Sequence, residues 1–466
     1  MDNLKLSTET KTETKAFGLW SAIFLGIGSM VGAGIFIVIG EAGVIAGNLV
    51  TVSFLIGGFI ALLCGYSLSK LAIRYPSRGG IIEYLVQSYG QGVFSGSLGI
   101  LFYFAQLISL AAVAKSFGTY GAAFMSGSAD PFYSDVFAVG IVVFFVLINL
   151  VGSSVVAKAE NLIVIIKLTA LIVFTLAALY FIKPENLSLT QSPHIINIFS
   201  ALGLTFFAFQ GFSVITNSVE DMSHPQRNMI RSMFGAIILV AVLYISVSIA
   251  VFGNLSLDTI IKDKDFALAE AAKPVFGEWG FKIITITALL ATASAINATL
   301  YAVTQISYTL AKDGDLPKVY EYNVFHNTEG LIISGLLILP MIIFLNLGQI
   351  AAIAAIAVLL IQGFTHAGHI AKRQQTGARL SLILAAIIGS VGAALFSIQH
   401  TSHAIHGIYY YIPGAFILAI VFEVLLRIFN DKTIEKQIVS KLENEIESEI
   451  KTIEKDVLEK FKRTKE

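Results

Sequence analysis

Three sets of residues in this chain could do chemistry, and all lie inside apolar sequence. The first is a set of four glycines in GIGSMVGAGIF, Gly26–Phe36, with Val31, Gly32, Ala33, Gly34 and Ile35 at its centre. A helix that stops near Val31 and restarts near Ile35 leaves the backbone N–H groups of its new first turn without intrahelical partners. Those donors, at the positive end of a helix dipole, suit a carboxylate. Glycine adds room, because a side chain there would hold a ligand away. The plainer use of the same glycines is close helix packing of the small-xxx-small kind.

A second interruption, FAFQGFS at Phe207–Ser213, offers the opposite chemistry. Unwinding near Ala208–Gly211 frees carbonyls at the negative end of a helix, and these suit an ammonium group. A ligand carrying carboxylate and ammonium on one carbon fits both breaks, which points to α-amino acids. Phe207, Ala208, Phe209, Gln210 and Gly211 are the candidates here, with Phe207 read as a gate. In a chain with 34 phenylalanines, ordinary packing explains any single one.

The third candidate is Lys167 in ENLIVIIKLTALIVF, whose helical neighbours Ile163, Val164, Ala170 and Leu171 are all apolar. An ionisable group within a span is costly and marks a functional site by default. A buried lysine amine is readily tuned to exchange its proton. Charged, Lys167 could hold carbonyls of the first break and a hydroxyl of the eighth apolar stretch, Ser294; neutral, it would let those elements part. The plainer reading is snorkelling to the nearer membrane face. Glu41 could attract cations or simply sit at the interface, and His400, His403 and His406 share helical spacing without an accompanying carboxylate or cysteine. No metal is expected to bind.

The elements that must position these residues follow from composition. Of 466 residues 56% are hydrophobic and 13% charged, against roughly 25% charged in a soluble domain. Mean hydropathy is +0.78. Net charge is zero, which gives no hint of a nucleic acid partner. The single cysteine, Cys64, excludes an intrachain disulfide. Apolar stretches fall at 17–46, 49–72, 82–119, 134–152, 159–182, 196–217, 231–253, 277–311, 330–346, 348–370, 379–398 and 406–429. These predict an all-α integral membrane protein with twelve transmembrane helices. The first stretch would be about 45 Å long as one helix, against a hydrocarbon core of about 30 Å, so a break within it is expected. Irregular backbone at that depth is tolerated only where it is buried or lines a cavity, and in carriers it forms the substrate site.

Stretches one to five (17–182) and six to ten (196–370) each open with a broken helix, the expected trace of a five-plus-five inverted repeat. Stretches eleven and twelve (379–429) lie outside it. The polar segment 1–16 has no signal-peptide form, so the first span would act as an uncleaved signal. Lys70, Arg74, Arg78, Lys158, Arg227, Arg231, Lys312, Lys318, Lys372, Arg373 and Arg379 would lie on one side with the N-terminal lysines. Lys115, Lys183, Lys262, Lys264, Lys273 and Lys282 would lie on the other. By the positive-inside rule this predicts a multi-pass cell-membrane protein with both termini cytoplasmic. Residues 255–275 read as short external helices, a candidate lid. The tail, 430–466, has apolar residues every three or four positions and reads as an amphipathic helix; it could self-associate, lie on the bilayer or cover the inner face.

The motifs GSMVGAGIF (28–36), YPSRGG (75–80), FFAFQGF (206–212), EDMSHPQRN (220–228) and AKDGDLP (311–317) together resemble the amino acid–polyamine–organocation superfamily of permeases, over nearly the whole chain to about Arg427. The context of Lys167 and of residues 294–317 is most similar to the superfamily's archaeal broad-specificity, proton-coupled members. The resemblance implies the inverted-repeat fold, alternating access and substrate backbone binding at the two breaks. It also implies that a lysine of span five stands where sodium sits in sodium-coupled relatives. Ala293 occupies the place where the family pattern would put a hydroxyl, leaving Ser294 or Thr292 to supply it. The expectation is a secondary transporter of neutral amino acids, by proton symport or by exchange with Lys167 as a fixed cation. No phosphate-binding loop for ATP is present, and no cofactor is expected. An ion channel lacks its lining rings here, and no catalytic constellation supports an enzyme.

Overall fold

The computed structural model describes residues 18–32, 34–151, 154–187, 194–325 and 327–429, the side chains of 154–161 and 429 excepted. Ala33, residues 1–17 and the tail 430–466, expected to be an amphipathic helix, thus lie outside the described residues. In chain order the helices are α1 (Leu19–Met30), α2 (Gly34–Ala46), α3 (Val50–Arg74), α4 (Ile81–Tyr89), α5 (Val93–Ser126), α6 (Pro131–Val151), α7 (Ser154–Tyr180), α8 (Ile196–Ser200) and α9 (Leu202–Phe209). They continue with α10 (Pro225–Asn254), α11 (Leu257–Lys262), α12 (Ala267–Glu270), α13 (Lys273–Asp313), α14 (Glu329–Phe344), α15 (Leu347–Thr376), α16 (Leu380–Thr401) and α17 (Ile408–Phe429). A two-stranded ribbon, Asn323–Val324 with Asn327–Thr328, is the strand content among the described residues.

Helix falls on each of the twelve predicted stretches. Nine helical segments among the described residues are long and apolar enough to cross a membrane; α1 and α14 are shorter apolar helices. The third stretch needs correction. The run 82–119 is two helices: α4, which buries Ile81, Ile82, Tyr84 and Leu85, and the longer α5. Gly90 at φ 79° caps α4 in a conformation glycine adopts without strain, and apolar residues on both sides hide that turn in the sequence. The crossing helix therefore extends to Ser126, and Lys115 is not in a loop. It is buried within α5, where it pairs with Asp135 of α6 and donates to the Ile342 carbonyl of α14 at 2.8 Å.

α5 is the hub of the bundle, packed on α6, α13, α14, α15 and α17, while α3 packs on α9, α10 and α16. In α13, Gly277 departs from helical geometry (φ 64°), so its first turn, Lys273–Phe276, is set apart from the crossing part. Segments α11 and α12, with the 3₁₀ turn Lys264–Phe266 between them, lie against α2. Gly40 abuts the Lys264 backbone, and Lys264 donates to both carboxylate oxygens of Glu41 at 3.0 and 3.1 Å. The Glu41 carboxylate also packs on Gly348 of α15. Glu41 is thus a clasp for the cap rather than an open lure for cations.

Candidate functional site

The first break forms where the glycines predict it. α1 ends at Met30, Val31 caps it by donating to the Ile27 carbonyl at 2.8 Å, and α2 begins at Gly34. Gly34 and Ile35 therefore belong to the orphan first turn of α2. The second break differs from expectation. α9 ends at Phe209, but Gln210–Ser218 continues as nine residues of 3₁₀-helix instead of an α-helical second half. The hydroxyls of Ser213, Thr216 and Ser218 each donate to the carbonyl three residues back, at 3.3, 2.7 and 2.8 Å. Such local bonds compete with regular α-helical pairing.

The two breaks touch backbone to backbone. A Cβ on Gly34 would stand 2.6 Å from the Ala208 carbonyl oxygen, and one on Gly211 would stand 2.5 Å from Ser29 backbone. The glycines thus serve close packing, bringing the two helix ends together. Gly32 faces Ala295 of α13, the residue after the buried Ser294. Val31, Phe207 and Phe209 are buried, and Phe209 packs on Gly58 and Tyr244, with ring centroids of the latter pair 5.2 Å apart.

Lys167 is 1% exposed and donates to the Gly28 carbonyl at 2.7 Å. In an unbroken helix that carbonyl would accept from residue 32, so Lys167 holds one of the carbonyls that the end of α1 releases. Gly28 itself packs on Val164, one turn earlier on α7. Snorkelling does not describe this side chain.

Two site residues escape sequence reasoning. The hydroxyl of Tyr244 in α10 donates to the Met30 carbonyl at 2.6 Å and reaches the Ala208 carbonyl at 3.2 Å, joining both breaks. Gln210 donates from Nε2 to Oε1 of Gln106 in α5 at 3.1 Å. The available signal is a polar atom within apolar sequence, LVAVLYISVS for Tyr244 and LFYFAQLISL for Gln106, since such atoms need partners in a bilayer. Further out, Arg78 of YPSRGG pairs with Glu220 at 3.4 Å and Asp221 at 3.1 Å, so two of the sequence motifs meet at the end of the sixth span. Among the described residues no three His, Cys, Asp or Glu side chains converge as a metal site would require.

A helical membrane bundle with two broken spans crossing at its centre, backed by a buried lysine, defines a multi-pass protein of the transporter class. The chain belongs to the amino acid permease family, whose model matches residues 17–422. It is 33% identical over 423 residues to an uncharacterized protein of Methanocaldococcus jannaschii, covering 90% of this chain and 97% of that one. It is 36% identical to the inner membrane transport protein YbaT of Escherichia coli over 76% of this chain and 83% of YbaT. The serine/threonine exchanger SteT of Bacillus subtilis is 26% identical over 73% of this chain and 78% of its own.

Proposed function

We propose that the protein imports neutral amino acids across the cell membrane by proton symport with alternating access, with both termini cytoplasmic and the two five-helix repeats moving about the crossed breaks. The substrate carboxylate would lie on the first-turn amides of α2 at Gly34 and Ile35, with Val31 and Gly32 in the turn before them; the contribution expected of Ala33 lies outside the described residues. Its ammonium would take the second lone pair of carbonyls around Ala208 and Gln210, with Gly211 letting the two breaks pack together beside it. Phe207 would close the site.

The bond from Lys167 to the Gly28 carbonyl carries the coupling assignment. A charged amine binds a carbonyl more strongly than a neutral one, so loss of the proton weakens the tie between α7 and the end of α1. Ser294 would be the partner on α13. Exchange is the second reading, favoured by the likeness to a serine/threonine exchanger, and Lys167 would then stay charged throughout.

Purified protein in liposomes separates the two. Uptake of labelled alanine driven by an imposed pH gradient, with no internal amino acid, supports symport. Uptake only into preloaded vesicles assigns exchange. Lys167→Ala should abolish the response to the gradient; gradient-driven uptake at the wild-type level in that variant would remove the coupling role.

A further inference from the structure

Gln106 and Gln210 face each other across the second break, the first from the middle of α5 and the second as the opening residue of the 3₁₀ segment. Both are half-buried. Each amide offers two donor hydrogens and a carbonyl, yet among the described residues the two share one hydrogen bond and no other involves either side chain. One amide is left with a free NH₂ and the other with a free carbonyl. Exchanging the oxygen and nitrogen of both side chains gives the same outcome, with the roles traded between them. Neither side chain is sealed in protein, so these remaining groups stay open to water or to a ligand. As mere interhelical glue the pair is incomplete.

We propose that this amide pair is the side-chain subsite, and that it selects amino acids with an uncharged hydrogen-bonding side chain, carboxamides first and hydroxyls second. The proposal rests on the amino acid site described above. Gln210 belongs to the same break that would hold the substrate ammonium, so a side chain leaving the substrate α-carbon toward α5 meets Gln106 next. A carboxamide presents a donor and an acceptor side by side, which matches one free carbonyl and one free NH₂. A hydroxyl satisfies the same two groups less fully. A charged side chain would find no counter-charge on two neutral amides, and an apolar one would leave both amides unsatisfied. The second case is the stronger form of discrimination, because a site built to hydrogen-bond rejects an analogue that cannot.

Asparagine and leucine make the sharpest pair of probes, since they have nearly the same branched shape. In proteoliposomes of the full chain, asparagine should inhibit labelled alanine uptake at a concentration at least tenfold below that of leucine. In Gln106→Leu that ratio should fall by tenfold or more. A second readout needs no variant: asparagine should raise the unfolding temperature of the purified wild-type protein at concentrations where leucine does not. Equal inhibition by asparagine and leucine in the wild type, or a ratio unchanged in Gln106→Leu, overturns the subsite while leaving alanine transport standing. Absence of any amino acid uptake or stabilisation would instead overturn the amino acid site itself, and this proposal with it.

Discussion

The hydroxyl of Tyr244 lies 2.6 Å from the Met30 carbonyl oxygen, the last helical carbonyl of the first half-span. The same oxygen atom is 3.2 Å from the Ala208 carbonyl of the sixth span. One hydroxyl therefore couples the two helix ends between which the substrate would sit.

Tyr244→Phe removes that hydroxyl and little else, because the ring keeps its contacts with Phe54 and Phe209 at 5.8 and 5.2 Å between centroids. Losing a buried hydrogen bond costs about 1 kcal/mol or somewhat more, so the variant should fold with a modestly lower unfolding temperature. Transport should fall about tenfold, a ratio that corresponds to about 1.4 kcal/mol. Uptake at the wild-type rate in Tyr244→Phe proteoliposomes would mean that the two breaks are not held through this group.

The glycines should differ in how much they tolerate. At Gly211 a methyl group would meet Ser29 and Met30 backbone at 2.5 and 2.6 Å, whereas at Gly32 it would meet the Ala295 methyl at 3.0 Å. Backbone in a crossed pair of breaks cannot yield as a side chain can, and overpacking costs about 1–3 kcal/mol. Gly211→Ala should therefore lower the unfolding temperature more than Gly32→Ala does. Chromatographic monodispersity and thermal unfolding in detergent read the difference, and the reverse order would contradict the contact.

A pH dependence follows from the loop after α13. Burial pushes the Asp315 carboxyl up to about 7, and the neighbouring Glu423 carboxylate adds to this against the pull of Arg427. Arg427 lies 3.5 Å from Asp315 and bonds the fully buried Glu423 at 2.6 Å, Asp313 stands nearby, and Gly96 of α5 packs on the Glu423 carboxyl. An unfolded aspartate titrates near 3.9, so the folded protein holds an extra proton at this site between about pH 4 and pH 7. Its stabilising share is present below that window and is lost as pH rises through it. Asp315→Asn should flatten the fall in unfolding temperature between pH 5 and pH 8, with a gain on the order of 2–4 °C at pH 8. Parallel curves for the two proteins would contradict the shared proton.

The breaks, the spans and Lys167 were legible because each violates a local rule: a helix too long for the bilayer, glycines where a helix should run, a charge among isoleucines. Glu423 in IVFEVLLR violates the same rule, but Arg427 four residues later reads as its partner on one helix face. Only the fold brings Asp315 to it. The 3₁₀ form of Gln210–Ser218 was equally hidden, because serine and threonine bonding back three residues leaves no mark in hydropathy. Tyr244 and Gln106 are single polar atoms or groups in apolar runs, and sequence does not say which way a helix turns them. The split of α4 from α5 escaped because hydropathy reads through a short glycine turn.

The same 3₁₀ segment has a mechanical meaning. Nine residues span about 18 Å at the 3₁₀ rise of about 2.0 Å per residue, but about 13.5 Å as α-helix at 1.5 Å. Rewinding would draw its far end about 4.5 Å toward the crossing, away from Gly80, on which Asn217 now rests, and would strain the Arg78–Asp221 pair. Spin labels on Asp221 and on the exposed Gln374 of α15 would record that travel as a second distance on adding substrate; one fixed distance would exclude it. One end is tied through Arg78 and Asn217 and the other is packed against Ser29 at Gly211, so a change between the two helical forms would have its stroke set by helix geometry, without a hinge residue.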